Sequence, residues 1–267
     1  MNNFIYIVYG LIQGITEFFP ISSTAHLKII SLLVGIDDPG ASLSAIVQLG
    51  SVLAILFYFR EDIFYLFKKN TNKLTSFLTF NKLIKSILIA TTPLIFLGGT
   101  IKLLVPNFSE SYLRSNTFIG IVSIFTGILM FISNKKRTNR NELSNICYVN
   151  AFIIGIGQAF AIFPGVSRSG ITITFALLLG WTREDSVKFS FLLGVPAIFL
   201  SSILELFNSI DGGLIFSSSQ LFLGLLSAFL TSIISINFIF RFIQLRGLSV
   251  FVYYKIIFGT AILLMNL

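Results

Sequence analysis

Residues 13–28 read Gln-Gly-Ile-Thr-Glu-Phe-Phe-Pro-Ile-Ser-Ser-Thr-Ala-His-Leu-Lys, and they interrupt an apolar run that extends from 3 to 35. The Phe-Pro step breaks the run, and polar or ionisable side chains cluster around it: Glu17, Ser22, Ser23, Thr24, His26 and Lys28. A second break of the same kind, Phe-Pro-Gly-Val-Ser-Arg-Ser at 163–169, lies inside the apolar segment 147–180. How the chain accommodates these two breaks decides the fold.

The composition requires a lipid environment. Apolar residues make up 55% of the 267 residues, charged residues only 11%, and the mean hydropathy is +0.90. A soluble domain carries roughly 25% charged residues, so this chain is predicted to be an integral membrane protein. That excludes a disordered chain, a secreted disulfide scaffold and a cytosolic enzyme. The single Cys147 also excludes an internal disulfide and a cysteine-based zinc site.

Six stretches have the length of roughly 20 apolar residues that a membrane-crossing helix needs. They are 41–60, 83–105, 115–133, 186–206, 217–241 and 247–266. The two broken segments are too polar at their middles for lipid-facing spans, and non-helical backbone at membrane depth needs protein or water around it. We therefore predict an all-α polytopic membrane protein with six transmembrane helices and two re-entrant helical hairpins, 3–35 and 147–180. Two kinked full spans are the alternative.

The distribution of positive charge predicts the orientation. Fourteen of the 19 lysines and arginines lie in one set of loops and turns: 60–85, 134–141, 181–188 and 241–246. The opposite loops contain Arg114 together with four acidic residues: Asp37, Asp38, Glu110 and Asp211. Because basic loops stay in the cytoplasm, both termini are predicted to lie outside. The net charge of +8 is thus a topology signal, and no nucleic-acid partner is expected.

An internal repeat relates the two halves of the chain. A shift of 144 residues aligns Phe19-Pro20 with Phe163-Pro164, Ser23 with Ser167, and Leu49-Gly50 with Leu193-Gly194. We predict a single transmembrane domain, 1–267, built from a first repeat at 1–133 and a second, inverted repeat at 147–267. The hairpins would then enter from opposite sides and meet near the midplane, as in secondary transporters. Helix N-termini at such a meeting point favour an anion.

Ionisable groups inside apolar segments are functional candidates by default. Glu17 and the only histidine, His26, lie at the first break, and Arg168 lies at the second. An arginine fork suits phosphate oxygens, so phosphate-ester chemistry is plausible, with an ion pair to Glu17 as the structural alternative. One histidine excludes two-histidine phosphatase and zinc-protease sites. Lys28 and Lys255 also lie within apolar segments, where each could extend to the interface or have a structural role, and Glu205, at the end of a predicted span, is expected to be an interfacial residue.

These breaks resemble two motifs of the bacterial undecaprenyl-diphosphate phosphatases, also called bacitracin-resistance proteins. Residues 13–26 resemble the Glu/Gln-xxx-Glu motif with its trailing Ser-Ser-Thr-Gly-His, and residues 164–170 resemble Pro-Gly-x-Ser-Arg-Ser-Gly. Two departures stand out: Gln13 replaces the first glutamate of many members, and Ala25 replaces a glycine. The resemblance extends over nearly the whole chain.

The resemblance implies a plasma-membrane enzyme that hydrolyses undecaprenyl diphosphate to undecaprenyl phosphate and inorganic phosphate, with its active site facing outward. This reaction recycles the carrier lipid of peptidoglycan synthesis and confers bacitracin resistance. A divalent cation, Mg²⁺ or Ca²⁺, is expected at Gln13 and Glu17. The alternative is a flippase for polyprenyl phosphate, and the sequence leaves open whether the chain forms a homodimer.

Site roles follow from the same resemblance. The expected catalytic residues are Glu17, Ser23, His26 and Arg168. The expected substrate-binding residues are Ser22, Thr24, Ser167, Ser169 and Gly170. The nucleophile stays open at this point between Ser23, His26 and water.

Overall fold

The computed structural model describes residues 3–34, 40–61, 73–105, 111–136, 143, 146–211 and 217–265. Helices account for 89% of them, and no strand occurs among them. The α-helices discussed below are α1 Asn3–Phe18, α2 Ser23–Val34, α3 Gly40–Tyr58, α4 Lys73–Leu104, α5 Asn116–Lys135, α6 Tyr148–Ala159, α7 Arg168–Leu178, α8 Arg183–Asp211, α9 Ser218–Arg246 and α10 Ser249–Leu264. The all-helical prediction is confirmed.

Four helical stretches in the described ranges are long and apolar enough to cross a membrane: Asn81–Leu104, Asn116–Lys135, Arg183–Phe207 and Ser218–Arg246. They coincide with four of the six predicted spans. Two other predicted spans contain shorter apolar helices, Ile46–Tyr58 and Ser249–Leu264. At 1.5 Å per residue, a 16-residue helix covers only about 24 Å of a hydrocarbon core about 30 Å thick, so the full six-span layout stays a prediction. The four long helices confirm the coarser prediction of several apolar membrane helices.

Both broken segments consist of two short helices joined at the Phe-Pro step. In the first, α1 ends at Phe18 and α2 begins at Ser23; in the second, α6 and a 3₁₀ turn precede α7. Ser22 (φ 78°) and Ser167 (φ 68°) are the non-glycine residues with positive φ in the described chain. Each immediately precedes a helix. By backbone conformation, therefore, Ser22 rather than Ser23 corresponds to Ser167.

The first helix of each broken segment packs on a helix from the other half of the chain. The first hairpin's α1 packs on α9, while the second hairpin's α6 packs on α4. Glycines permit both approaches: a Cβ on Gly10 would lie 2.4 Å from the Gly224 carbonyl oxygen, and one on Gly155 would lie 2.3 Å from the Ala90 carbonyl oxygen. The helices α3 and α8 pack together, as do α5 and α10. This reciprocal packing brings the two Phe-Pro turns against each other.

Part of the charge pattern cannot be followed into the structure. The loop residues Asp37, Asp38 and Glu110 lie outside the described residues. So does part of the basic loops 60–85 and 134–141 on which the predicted orientation rests, namely residues 62–72 and 137–141.

Candidate active site

The two turns meet at a cavity of about 410 Å³ that α1, α2, α3, α4, α6, α7 and α8 also border. Its polar wall includes Glu17, Ser22, Ser23, Thr24, Ser167 and Arg168. The turns contact each other directly, because the backbone N–H of Gly165 donates to Ser22 Oγ at 3.1 Å. The expectation that the two breaks come together is thus confirmed for the described residues.

The Glu17 carboxylate is the centre of the cluster. Arg168 Nη2 donates to Glu17 Oε1 at 2.8 Å, while Ser23 Oγ and Gln13 Nε2 donate to Oε2 at 2.9 and 2.8 Å. The Glu17 and Arg168 side chains are only 6% and 11% exposed. A charge this buried is tolerated only when it is paired and hydrogen-bonded, and three charge-assisted bonds meet that condition. The carboxylate thereby links Arg168 of the second turn to Ser23 of the first turn and to Gln13 of α1.

Helix α8 supports the Arg168 guanidinium. Nη1 donates to the Ser190 carbonyl at 3.1 Å. The guanidinium lies directly over Gly194, where an added Cβ would be 2.1 Å from Nη1 and 2.5 Å from Cζ. The third nitrogen, Nε, is buried and has no hydrogen-bond partner among the described residues. Arg168 is therefore held in place while its Nε–H donor is still available.

Serine hydroxyls of the second turn organise its backbone. Ser167 Oγ accepts from the Gly170 N–H at 3.2 Å and so caps α7. Ser169 Oγ donates at 3.2 and 3.3 Å to the carbonyls of Glu17 and Phe19, which tie the two turns together. Ser169 is not among the described residues that line the cavity. Its hydroxyl therefore connects the second turn to the backbone of the first.

Gly170 lies in tight packing. A Cβ there would lie 3.1 Å from Met130 Cε and 3.2 Å from Pro20 Cβ. Gly170 is also absent from the described cavity wall. Its position lets α7 approach the first turn closely.

His26 is directed away from this cavity. Its Nδ1 lies 2.7 Å from the Ser22 carbonyl oxygen, and its Nε2 lies 2.6 Å from the Tyr254 hydroxyl. A carbonyl can only accept, so Nδ1 carries the proton and, in the neutral imidazole, Nε2 accepts from Tyr254. The ring stacks on Phe258 at 4.4 Å, and His26 is not among the described residues that line the cavity. Both ring nitrogens are thus engaged away from Glu17 and Ser23.

Lys255 is a site residue whose location the sequence did not indicate. Of the two alternatives for Lys255, the structure supports the structural role, because its side chain is fully buried. Nζ donates to the carbonyls of Gly165 at 2.7 Å and Val166 at 3.0 Å, and so holds the second turn from behind. An isolated lysine in an apolar helix gives no sign of a partner 90 residues away. Lys28, by contrast, lines the cavity and donates to the Arg114 carbonyl.

The donors around Glu17 fit a divalent cation that shares its ligands with a substrate. In the described chain no group of three or more His, Cys, Asp or Glu residues could hold a metal ion. One carboxylate, the hydroxyl of Ser23 and the amide oxygen of Gln13, which is buried without a partner among the described residues, make a hard oxygen donor set. Mg²⁺ is commonly bound by one or two carboxylates plus substrate phosphates and water. Gln13 now donates its amide nitrogen to Glu17, so a cation there requires the amide to turn its oxygen inward.

Known proteins resemble this chain along nearly its whole length. The family model for bacitracin resistance protein BacA matches residues 6–261. An undecaprenyl-diphosphatase of Prochlorococcus marinus subsp. pastoris (strain CCMP1986 / NIES-2087 / MED4) is 54% identical over 266 residues, which cover 98% of this chain and 99% of the relative. An undecaprenyl-diphosphatase of Synechococcus sp. (strain RCC307) is 39% identical over 260 residues, covering 96% of this chain and 91% of the relative.

Proposed function

This chain belongs to the bacitracin resistance protein BacA family, and we propose that it is a membrane enzyme that hydrolyses undecaprenyl diphosphate to undecaprenyl phosphate and inorganic phosphate. The observation that carries the proposal is the buried Glu17–Arg168 pair with Ser23 hydrogen-bonded to the same carboxylate. A flippase for polyprenyl phosphate needs a site that binds an anion, but it does not need a hydroxyl hydrogen-bonded to a general base. The Ser23–Glu17 contact and the names of the relatives favour the hydrolase.

Arg168 binds the diphosphate. Its unpaired Nε and the Nη groups form a fork that suits phosphate oxygens. Helices α2 and α7 both begin at the cavity, so their first backbone N–H groups and positive dipole ends add to the anion site. Without substrate, Glu17 neutralises the guanidinium; an incoming diphosphate competes for it and leaves the carboxylate available to Ser23.

Ser23 is the nucleophile in this mechanism. Its hydroxyl oxygen attacks the terminal phosphorus and its proton passes to Glu17, 2.9 Å away, while the bond to the bridging oxygen breaks. Glu17 gives this proton to the departing undecaprenyl phosphate and becomes a carboxylate again. Water then attacks the phosphoserine and gives a proton to Glu17, which returns it to Ser23 Oγ as inorganic phosphate is released. Arg168 and the helix N-termini stabilise the charge on the phosphoryl oxygens throughout. Direct attack by water would use the same base.

His26 acts by positioning in this proposal. Its bond to the Ser22 carbonyl supports a serine held at φ 78°, a conformation costly for a residue with a side chain. Tyr254 and Phe258 fix the ring from the other side. The residue therefore keeps the first turn in the shape that places Ser23 beside Glu17.

A divalent cation, Mg²⁺ or Ca²⁺, is part of the proposal. Glu17 and the amide oxygen of Gln13 would hold it. When bound, it would offset negative charge on the diphosphate. Binding of the cation would change neither the order of the steps assigned to Ser23, Glu17 and Arg168 nor the path of the proton.

We further propose the plasma (inner) membrane of a bacterium as the location, with two re-entrant hairpins and the cavity opening outward. The reciprocal packing of α1 on α9 and α6 on α4 supports an inverted repeat. Lys102 and Arg114 line the cavity and lie beside or in the loop 106–114, which the charge pattern places outside. A homodimer stays a prediction.

Cys147 tests the orientation. It is exposed at the start of α6, is the only cysteine in the chain, and is expected at the cytoplasmic side. A membrane-impermeant maleimide should leave it unlabelled in intact cells and label it after the cells are opened. In the Ser109→Cys variant, intact cells should become labelled. Labelling of Cys147 from outside without labelling at 109 would invert the topology.

The activity is tested in detergent, where the two sides of a membrane no longer exist. Purified protein is mixed with undecaprenyl diphosphate and Mg²⁺ or Ca²⁺, and released inorganic phosphate is measured. A Glu17→Gln preparation made in parallel reports contaminating phosphatases. Phosphate release by the wild type alone is expected, and expression in a bacitracin-sensitive bacterium should raise its resistance. Equal release by both preparations would refute the proposed function.

A further inference from the structure

Gln158 is a buried polar residue that the mechanism above does not use. Its side chain is fully buried, and neither Nε2 nor Oε1 has a hydrogen-bond partner among the described residues. It lines the same cavity as Glu17, Ser23 and Arg168. A buried amide with both ends unpaired is rare in folded proteins and destabilises the fold. The cavity is the place where a partner for it can bind.

Packing of its helix, rather than hydrogen bonding, fixes Gln158. One turn before it, Gly155 lies against the backbone of Ala90 on α4, where a Cβ would be 2.3 Å from a carbonyl oxygen. Gly157 lies against the ring of Phe175 on α7, where a Cβ would be 2.7 Å from Cδ2. These contacts on two sides leave α6 little freedom to roll. Gln158 is therefore held at the cavity wall although the amide itself gains nothing there in the absence of a ligand.

The counterpart of Gln158 in the first hairpin is already engaged. Gln13 lies nine residues before Ser22, as Gln158 lies nine residues before Ser167, and these are the two serines with positive φ in the described chain. Gln13 Nε2 donates to the Glu17 carboxylate at 2.8 Å. The second hairpin has no acidic residue between Gln158 and Arg168. The donor of Gln158 therefore has no carboxylate from its own hairpin, and an anionic ligand can take that place.

We propose that Gln158 is a further substrate-binding residue, whose Nε2 donates to an oxygen of the diphosphate headgroup that Arg168 binds. The inference rests on the proposed function, because it assigns the ligand from it. Diphosphate oxygens are acceptors and match the amide donor, while Oε1 accepts from a water molecule that hydrates the headgroup. A neutral amide adds this contact without competing with Glu17 for the guanidinium.

The test compares three variants with the wild type. Gln158→Met keeps the approximate volume and removes both polar ends; Gln158→Glu replaces the donor with an anion. Ser86→Ala is the matched control, because Ser86 Oγ is also buried without a partner among the described residues but is not in the described cavity wall. For each variant the melting temperature in detergent, kcat, and KM for undecaprenyl diphosphate are measured.

We expect Gln158→Met to melt at or above the wild-type temperature while its KM rises at least tenfold. Gln158→Glu should bind worse still, because its carboxylate repels the diphosphate. Ser86→Ala should keep the wild-type KM. A Gln158→Met variant with wild-type KM, or one that melts several degrees lower or fails to fold, would overturn the proposal, since the amide would then have no ligand role or a structural partner.

Inorganic diphosphate separates this inference from the proposed function. The rise in melting temperature that it causes is measured without catalysis. The wild type should be stabilised, and Gln158→Met should lose most of that shift while Ser86→Ala keeps it. If the wild type hydrolyses no lipid diphosphate, the proposed function fails, but a shift that depends on Gln158 still supports the binding role. Equal shifts in all three proteins would contradict it.

Discussion

The first turn, residues 19–26, and the second, residues 163–170, follow similar backbone paths but carry different chemical groups. Each has a Phe-Pro step, a serine with positive φ and a helix that begins at the next residue. At that next position the first turn has Ser23 and the second has Arg168. In the proposed mechanism, the hydroxyl and its base come from one hairpin, and the charge that binds the anion comes from the other. Two turns of similar backbone conformation would thus form a site that neither turn holds alone.

The comparison predicts that hydroxyls of the two turns are not equivalent. Ser23→Ala removes the nucleophile beside Glu17, and turnover should fall by at least about 10³, or about 4 kcal/mol of barrier. Ser169→Ala removes only weak bonds to two carbonyls. It should cost about 1 kcal/mol of stability and leave turnover within a few-fold of wild type. Phosphate release and thermal unfolding in detergent measure both.

A phosphoenzyme trap sharpens the same comparison. Acid-quenched protein should carry its phosphate on Ser23, and Ser23→Ala should carry none. Phosphate on His26 would contradict the division of roles, because His26 is engaged with Ser22 and Tyr254. Wild-type turnover in Ser23→Ala would leave water as the nucleophile.

The second expected effect concerns the charge from the second turn. Arg168→Lys keeps a cation but loses the planar fork that contacts both Glu17 and Ser190. Turnover should fall at least about tenfold, roughly 1.4 kcal/mol of transition-state stabilisation. The melting temperature should change little, because the positive charge still faces the buried carboxylate. Near-normal turnover would mean that Arg168 serves only as the partner of Glu17.

The sequence predicts the parts of the site that depend on neighbouring residues, and it does not predict those that depend on contacts between distant parts of the chain. The two motifs indicate a pairing of Glu17 with Arg168 as one alternative, because a buried acid and a buried base need each other. The sequence gives no signal at Gln158, because it lies in an apolar run without neighbouring charges. The roles of Lys255 and His26 depend on contacts 90 and 228 residues away along the chain, which no local pattern contains.

For the helices too, some features can be predicted from the local sequence and others cannot. Long apolar stretches such as 83–105 predict a helix and its approximate ends, because length and hydropathy are local properties. The stretch 247–266 became a helix of only 16 residues, Ser249–Leu264, since it begins just after Gly247, where φ is +71°. The repeat offset of 144 matched the Phe-Pro steps, but the second turn has one more residue before its left-handed serine. Backbone conformation, rather than residue identity, sets that correspondence.

The third prediction uses two glycines that the repeat aligns, Gly50 and Gly194. Gly194→Ala places a methyl 2.1 Å from Arg168 Nη1, so the guanidinium must move and turnover should fall about tenfold. Gly50→Ala instead meets the Leu225 carbonyl oxygen at 2.5 Å. It should destabilise the fold by about 1–3 kcal/mol while the folded molecules keep their turnover. Activity per folded molecule, from gel filtration and phosphate release, separates the two.

Gly99→Ala is the control for both glycine variants. Gly99 lies inside α4 with nothing within 4 Å of an added Cβ. Alanine should therefore leave turnover unchanged and stabilise the helix by up to about 1 kcal/mol. Equal activity per folded molecule in all three variants would mean that Gly194 does not position Arg168.

The smallest expected effect concerns the first hairpin's own glutamine. If Gln13 and Glu17 share a cation, Gln13→Glu adds a charged oxygen ligand, and half-maximal activity should occur at a several-fold lower Mg²⁺ or Ca²⁺ concentration. Without the cation, two carboxylates would lie where the Glu17 carboxylate now accepts a hydrogen bond from the Gln13 amide at 2.8 Å. The variant should therefore also melt at a lower temperature unless the cation is added.

Gln158→Glu, the same change in the second hairpin, should not lower the cation concentration needed for half-maximal activity, because that hairpin has no acidic residue beside position 158. An unchanged titration for Gln13→Glu would remove Gln13 from the coordination shell, and a matching response at Gln158 would show that the cation is bound between the hairpins rather than by the first alone.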